Sequence, residues 1–424
     1  MIKLVEALNY RCLRYVKQPL GRFHVLVGPN ASGKSTFLDV AGFLGDLLRH
    51  GLDRAISKRS SSSSIEDLFF LNQGNRFELA LEMEVPEQLR KLVPDQVYPC
   101  IRYEIAVGKA ASGEYHIFDE QVILQKSVSP LKRPYPLTLF PSPEEPPSTI
   151  MHQRLVGKDK RRSVRKTYGK NDNFYSEKVS QKGKAGWAPS IRLGPRKSAL
   201  AGMPEDEEKF PISTWLRAML ISGTQKLMLD SSALRRSSPP GQESIFNPQG
   251  SNLPWMVADL KKKAPERFQK WIKHIRNALS DINDIETVEL PDTRHLFLRI
   301  LYNNGLKVPS WMVSDGTLRM IALTLPAFFP DFRGIYLIEE PENGIHPMAI
   351  ETVFQALKTV YGAQILLATH SPVILGCAKP DQILCFKKGP TGAADIVIGS
   401  NHPALPQWKG GVSLAQLYAS GVLG

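Results

Sequence analysis

The chain has 424 residues, of which 42% are hydrophobic, and its 54 Lys and Arg against 41 Asp and Glu give a net charge of +13. This length suffices for a large core and predicts two or three structural units. The N-terminus lacks the long apolar stretch of a signal peptide, and the densest apolar run, residues 320–329, is too short to cross a bilayer. The four cysteines show no Cys-x-x-Cys or metal-ligand spacing, which fits a reducing compartment. We therefore expect a soluble, cytoplasmic protein with no membrane partner.

Residues 28–36 follow an apolar strand pattern at 23–27 and have the sequence of a phosphate-binding loop that opens a helix. Glycines at both ends of the loop let its backbone N–H groups surround nucleotide phosphates. Lys34 supplies a charge for the outer phosphates, and the Ser35 hydroxyl is placed to hold Mg²⁺. A glycine-rich turn without a ligand is the alternative, but the preceding strand and the Lys-Ser pair favour a nucleotide. The predicted ATP-binding residues are Gly28, Pro29, Asn30, Ala31, Ser32, Gly33, Lys34, Ser35 and Thr36.

Strand patterns follow, and then the composition changes. Alternating apolar residues predict a strand at 75–85 with one buried face, and 101–107 and 115–124 continue the pattern. From about residue 127 the chain is rich in Pro, Ser and Lys, with helices predicted near 212–229 and 255–279. We therefore divide the chain into the first half of an α/β domain (1–126), a basic insertion with helical segments (127–289) and the second half of that domain (290–424).

The insertion carries most of the excess charge. Residues 152–197 contain 14 Lys or Arg and three Asp or Glu, with four aromatic residues between them. Such a segment suits contact with a phosphate backbone and with stacked bases. The predicted nucleic-acid contacts are Arg161, Arg162, Arg165 and Lys166. A solvated flexible loop would have the same composition, so that alternative stays open.

Three further motifs lie in the second half. Residues 335–340 predict a buried strand that ends in Glu339, placed near Mg²⁺, and Glu340, placed near the γ-phosphate as a base for the attacking water. Residues 365–372 predict another buried strand, ending at His370, which could donate to a γ-phosphate oxygen. Ser314, Asp315 and Gly316 precede an apolar helix, with Ser314 as the expected N-cap at an anion-binding helix start.

In this order, the four motifs resemble the ABC-type ATPase heads of the SMC and RecF group, and most strongly the ATPase domains of overcoming-lysogenization-defect (OLD) proteins and their stand-alone bacterial relatives. The resemblance covers roughly residues 1–125 and 290–385. It implies a fold class of α/β, an ABC-type P-loop NTPase head with a parallel core sheet and an antiparallel strand subdomain.

The same resemblance implies ATP and Mg²⁺ as cofactors and a head-to-tail dimer or higher oligomer as the working unit. In that arrangement Ser314, Asp315 and Gly316 would cap the γ-phosphate bound by a second copy. The resemblance implies catalytic roles for Lys34, Glu340 and His370 and a metal role for Ser35 and Glu339. It also suggests Gln73 as a metal ligand and Arg11 as a nucleotide contact.

This chain departs from the family pattern in two ways. Glu339-Glu340 stands where Asp-Glu is common, one methylene longer at the Mg²⁺ position, which leaves the rate of hydrolysis open. Only 54 residues follow His370, too few for the Toprim nuclease domain of OLD nucleases, so an effector such as a Toprim-like nuclease would be a separate protein. The segment 414–424 is apolar and suited to docking on the head or on a partner.

We predict an ATPase that dimerises around ATP and controls a separate effector, with nucleic acid as its trigger, in bacterial anti-phage defence. A RecF-like DNA repair ATPase and an ATP-binding scaffold with little hydrolysis stay as alternatives. A transporter subunit is disfavoured, because transporter heads are compact and here about 300 residues separate the loop from its catalytic acid.

Overall fold

A computed structural model describes residues 1–60, 62, 64–93, 98–127, 145–153, 155, 159–178, 189–242, 246–330 and 332–401. The apolar tail 414–424 and one of the four aromatic residues of the basic segment, Trp187, lie outside these described residues.

Within the described residues, the strands in chain order are β1 (Ile2–Tyr10), β2 (Leu13–Pro19), β3 (Phe23–Val27), β4 (Arg76–Glu84), β5 (Cys100–Lys109), β6 (Tyr115–Gln125), β7 (Lys160–Thr167), β8 (Asp172–Phe174), β9 (Ser190–Ile191), β10 (Thr224–Leu227), β11 (Ile282–Glu289), β12 (Leu296–Tyr302), β13 (Lys307–Pro309), β14 (Gly334–Glu339), β15 (Ala363–Ala368), β16 (Ile383–Lys388) and β17 (Ala394–Ile398). The α-helices are α1 (Lys34–His50), α2 (Leu52–Ser57), α3 (Glu87–Arg90), α4 (Pro211–Ala218), α5 (Ser231–Arg235), α6 (Leu253–Lys263), α7 (Pro265–Arg276), α8 (Asp315–Thr324), α9 (Pro347–Lys358) and α10 (Pro372–Cys377). None of these helices is long and apolar enough to span a bilayer.

The strands form three sheets. One has the order β2-β1-β4-β5-β6-β7-β8-β9 and is antiparallel throughout. The second has the order β10-β14-β15-β3-β16-β17 and is parallel except for its last pair. The third is a small antiparallel sheet of β11, β12 and β13. A parallel core sheet with an antiparallel strand subdomain is the fold class that the sequence predicts.

Helix α1 lies between the two large sheets. Its apolar stripe shares one core with β1, β4, β5 and β6 on one side and with alternate residues of β14, β15 and β16 on the other. The intervening residues of the parallel strands enter a second core with helices α6 to α10 and the small sheet. Because β3, β14 and β15 are buried on both faces, their sequences are almost unbroken apolar runs.

The predicted boundaries at 126 and 289 stay a prediction, but the middle segment contributes to both large sheets. Strands β7, β8 and β9 extend the antiparallel sheet, and β10 pairs with β14 in the parallel sheet. The helix predicted at 212–229 is wrong in its second half, because α4 ends at Ala218 and gives way through a π-helical turn to β10. Pairing with β14 overrides the apolar helical spacing there.

The second face of β4 is also buried, in contrast to the one-sided strand predicted. Arg102 of β5 is 1% exposed there and makes ion pairs with Glu6 at 2.8 Å, Glu82 at 3.0 Å and Glu104 at 2.6 Å. Burial alone would raise the pKa of Glu104, but the hydrogen bond from His152 and the charge of Arg102 lower it to about 2. This face of the sheet is therefore buried although it carries a cluster of ion pairs in place of apolar side chains.

We predict that Arg102→Met destabilises the protein by about 3–5 kcal/mol, because it leaves three buried carboxylates without their cation. Lys91→Met removes the exposed Lys91–Glu87 pair and serves as the control, with an expected change within about 0.5 kcal/mol. Urea unfolding measures both. A loss below about 1 kcal/mol for Arg102→Met would show that the three carboxylates do not depend on Arg102 as their cation.

Candidate functional site

The phosphate-binding loop lies where β3 ends and α1 begins, and its glycines are required by close packing. Gly28 and Gly33 have φ values of 151° and 104°. A Cβ at Gly28 would lie 2.3 Å from the carbonyl oxygen of Phe386, and one at Gly33 would lie 2.8 Å from the Cβ of Ala394. The loop is therefore pressed against β16 and β17, so these glycines are needed by the chain's own packing as well as by a ligand.

Lys34 is folded over the loop. Its Nζ donates to the carbonyl oxygens of Gly28 at 2.7 Å and Pro29 at 2.9 Å, and the residue is 7% exposed. Burial lowers the pKa of Lys34, while the nearby charges of Glu340 and Glu339 act in the opposite direction. The ammonium group thus lies inside the curve of the loop, where phosphate oxygens would accept its bonds.

Ser35 and Glu339 are in direct contact although 304 residues separate them. The Ser35 Oγ donates to Oε2 of Glu339 at 2.9 Å. The pairing of β14 with β15, and of β15 with β3, brings the carboxyl ends of these strands to one edge of the sheet. Lys226 of β10 lies beside them, its Nζ 2.8 Å from the other oxygen, Oε1, in an ion pair not aligned as a hydrogen bond.

The chemistry of these two side chains fits Mg²⁺. This ion takes one or two protein oxygens and completes its shell with water and substrate phosphates. Ser35 and Glu339 offer a hydroxyl and a carboxylate oxygen next to the phosphate-binding loop. Among the described residues, no group of three or more His, Cys, Asp or Glu side chains could hold a metal without a nucleotide.

Glu340 has a strained backbone at the end of β14. Its φ of 47° lies in the left-handed region, which a non-glycine residue rarely adopts. The backbone is held there by its N–H, which donates to Ala368 at 2.8 Å, and by its carbonyl, which accepts from Asn343 at 3.0 Å. The side-chain Oε2 accepts from Nδ2 of Asn343 at 2.5 Å. This conformation directs Glu340 into the same cleft as Lys34.

His370 is held through Glu342, a residue that the sequence did not single out. Oε1 of Glu342 accepts from Oγ1 of Thr369 at 2.6 Å and from the backbone N–H of His370 at 2.9 Å. Burial, and then the charge of Lys34, lower the pKa of His370. The ring is therefore neutral at pH 7 and has one N–H to donate.

One cleft, with a volume of about 380 Å³, is lined by Lys34, Ser35, Glu339, Glu340 and His370 together with the loop. Most of the residues predicted for the ATP site line this cleft, while their individual roles stay predictions. Three predicted residues do not line it: Gly28 and Pro29, whose carbonyls accept from Lys34, and Gln73, which is exposed and follows a short 3-10 turn. The cleft is lined by Arg11, Cys12, Asn30, Ala31, Ser32, Gly33, Lys34, Ser35, Thr36, Glu339, Glu340, Ala368, His370 and Lys388.

The predicted signature lies at the start of α8, away from this cleft. Ser314 is exposed and caps the helix, because its Oγ accepts from the Thr317 N–H at 3.3 Å. Asp315 pairs with Arg235 at 2.8 Å. A Cβ at Gly316 would lie 2.5 Å from the carbonyl oxygen of Gly344, so α8 packs tightly on the loop after β14. None of the three signature residues lines the cleft of its own chain.

The four residues predicted to contact nucleic acid lie on β7, but not all of them present a charge. Lys166 is buried and pairs with Asp172 at 2.8 Å, so its prediction as a surface contact is wrong. Arg165 pairs with Asp119 at 2.9 Å. Arg161 donates to the carbonyl of Ser176, and Arg162 donates to Gln121. Charge at this surface is lower than the composition suggests.

We predict that Glu342→Ala slows ATP turnover by raising its activation free energy by about 1–3 kcal/mol, because the donors at Thr369 and His370 lose their acceptor. Glu342→Gln keeps an acceptor oxygen and should retain most of the activity. In a His370→Ala background, Glu342→Ala should have little further effect on turnover. Fully additive losses would show that Glu342 does not act through His370.

Comparisons with known proteins agree with this geometry. Residues 23–99 and 220–376, more than half of the chain, match the protein family described as "AAA domain, putative AbiEii toxin, Type IV TA system". No curated protein sequence matches the chain.

Two solved structures share the fold over most of both chains. An SMC head bound to the C-winged helix domain of ScpA has a TM-score of 0.52 at 15% identity, over 93% of this chain and 96% of that chain. An Smc head domain with an extended coiled coil, bound to the C-terminal domain of ScpA from Pyrococcus furiosus, has a TM-score of 0.50 at 13% identity, over 93% and 95%. The predicted ABC-type head fold is confirmed, and the predicted nearness to OLD proteins stays a prediction.

Proposed function

This chain belongs to the AAA domain family that matches residues 23–99 and 220–376, and from that premise we propose that it binds and hydrolyses ATP with Mg²⁺ in the cleft between α1 and β14. The observation that carries the proposal is the 2.9 Å bond between Ser35 and Glu339 beside the Lys34 cradle. A hydroxyl, a carboxylate and a buried ammonium around one phosphate-sized space are the parts that phosphoryl transfer requires.

In the proposed reaction, the loop amides and Lys34 bind the phosphates. Lys34 would exchange its two carbonyl acceptors for phosphate oxygens, which are stronger acceptors because they are charged. Glu340 would accept a proton from the attacking water, and neutral His370 would donate to a γ-phosphate oxygen. Mg²⁺ at Ser35 and Glu339 would neutralise charge that develops on the phosphates.

We further propose that two chains close head to tail over the nucleotide. Exposure of Ser314 supports this, because the capped start of α8 offers an anion site that its own cleft does not use. One solved head with this fold is bound to a domain of ScpA, so a head of this kind can bind a separate protein. By analogy, the ATP-bound dimer would control a separate effector, which we propose to be a Toprim-like nuclease.

The proposed setting is bacterial anti-phage defence in the cytoplasm. The family description, "putative AbiEii toxin, Type IV TA system", names a toxin–antitoxin system, which supports a defence role over a RecF-like repair role. An ATP-binding scaffold with little hydrolysis is the second candidate. The residue at the metal position favours it, since Glu339 is one methylene longer than the aspartate that is common there.

We predict that Lys34→Ala abolishes ATP binding, because the loop loses its only side-chain cation. Glu340→Gln should retain ATP binding, lower turnover by a factor of about 10²–10⁴, and accumulate as an ATP-bound dimer. ATP turnover, nucleotide affinity and light scattering after size-exclusion chromatography measure these results.

Lys263→Ala on α6 and Glu351→Gln on α9 are the matched controls, because both residues are exposed and lie outside the cleft. Unchanged turnover in both Lys34→Ala and Glu340→Gln would remove the assigned site. Tight binding without measurable turnover in the wild type would instead select the scaffold.

Nucleic-acid contact at β7 stays a proposal that now rests on Arg161, Arg162 and Arg165. We predict that the double change Arg161→Ala and Arg162→Ala weakens binding to a DNA duplex uniformly across sequences. The slope of log K against log salt concentration should fall by the equivalent of about two phosphate contacts. Lys262→Ala with Lys263→Ala removes the same charge from α6 and is the control. Equal affinity before and after the β7 changes would assign those arginines to the fold alone.

A further inference from the structure

Lys226 contacts Glu339, at the proposed metal position, from a strand that carries none of the predicted motifs. In β10, Lys226 pairs with Leu337 of β14, and Glu339 lies two residues further along β14. Because side chains alternate between the faces of a sheet, Lys226 and Glu339 point to the same side. The ammonium nitrogen lies 2.8 Å from Oε1 of Glu339, and the two side chains are 44% and 27% exposed.

The two oxygens of Glu339 therefore have different partners. Oε1 faces Lys226, and Oε2 accepts from Ser35, whose hydroxyl keeps its lone pairs for a metal. A glutamate has one more rotatable bond than an aspartate, so its carboxylate is less fixed unless a second group holds it. Lys226 supplies that second group and does not itself line the cleft.

We propose that Lys226 is a positioning residue that compensates for the longer side chain at the metal position. By attracting Oε1, it turns Oε2 toward Ser35 and toward the ion that the two residues would hold. This inference rests on the proposed ATP–Mg²⁺ function, and it adds a residue that acts through Glu339 without touching the nucleotide. Groups that orient metal ligands in this way change metal affinity when they are removed.

The test measures mant-ATP affinity of the full chain as a function of free Mg²⁺. Lys226→Met should raise the Mg²⁺ concentration for half-maximal effect by about tenfold, with Mg²⁺-free binding unchanged. Lys226→Arg keeps the charge, so its Mg²⁺ concentration for half-maximal effect should stay close to that of the wild type. In a Glu339→Asp background, the shorter carboxylate withdraws from Lys226, so Lys226→Met should shift the Mg²⁺ requirement by less than about twofold.

Lys263→Met is the matched control, because Lys263 makes a Lys–carboxylate pair of the same 2.8 Å length with Asp259, outside the cleft. An unchanged or lower Mg²⁺ requirement in Lys226→Met would overturn the inference, as would an equal shift with Asp at position 339. A lower requirement would assign Lys226 the opposite role, a cation that competes with Mg²⁺. If the wild type bound no mant-ATP, the proposed function would fail, and the inference with it.

Discussion

The site depends on the parallel pairing of β3, β15 and β14. Leu26 pairs with Ala368, and Ala368 pairs with Glu339, so the residues that follow these three positions meet at one edge of the sheet. Neighbouring strands are about 4.8 Å apart, so β14 and β3, with β15 between them, are separated by about 10 Å, and the loop after β3 spans this distance to bring Ser35 to Glu339. A slip of one residue would send Glu339 to the other face, and the two separate cores on either side of the sheet resist it.

The antiparallel sheet contributes a wall of the cleft rather than its chemistry. The turn between β1 and β2 brings Arg11 and Cys12 to the loop, and the Sγ of Cys12 lies near Gly33. That turn belongs to a sheet whose outer face is tied together by Arg102 and its three carboxylates. A buried cluster of this kind gives little net stability but strongly penalises any arrangement that separates its members. It therefore favours one position of the β1–β2 turn relative to the loop.

The sequence was sufficient for the fold class and for the motifs at strand ends, because Lys34, Glu339 and His370 each sit in a local pattern with its own chemistry. It was not sufficient for residues whose roles arise from tertiary pairing. The local sequence places Lys226 in a predicted helix, since nothing in it shows that this segment pairs with β14. The role of Glu342 depends on a contact that the sequence does not show, between the loop after β14 and the end of β15. The sequence predicts Lys166 as a nucleic-acid contact because its partner, Asp172, lies beside it only when β7 and β8 pair.

Two side-chain donors of the site, Lys34 and Ser35, already have acceptors within the chain. Lys34 donates to two loop carbonyls, and Ser35 donates to Glu339, so the proposed ATP binding would exchange these bonds instead of adding to them. Each bond to a charged phosphate oxygen would be stronger than the carbonyl bond it replaces, but the lost bond offsets part of the gain. The start of α8 is already fixed by the Ser314 cap and by the Arg235–Asp315 pair. A second chain would therefore bring an ordered anion site with little further loss of conformational entropy, and its docking would supply the free energy that the exchange does not.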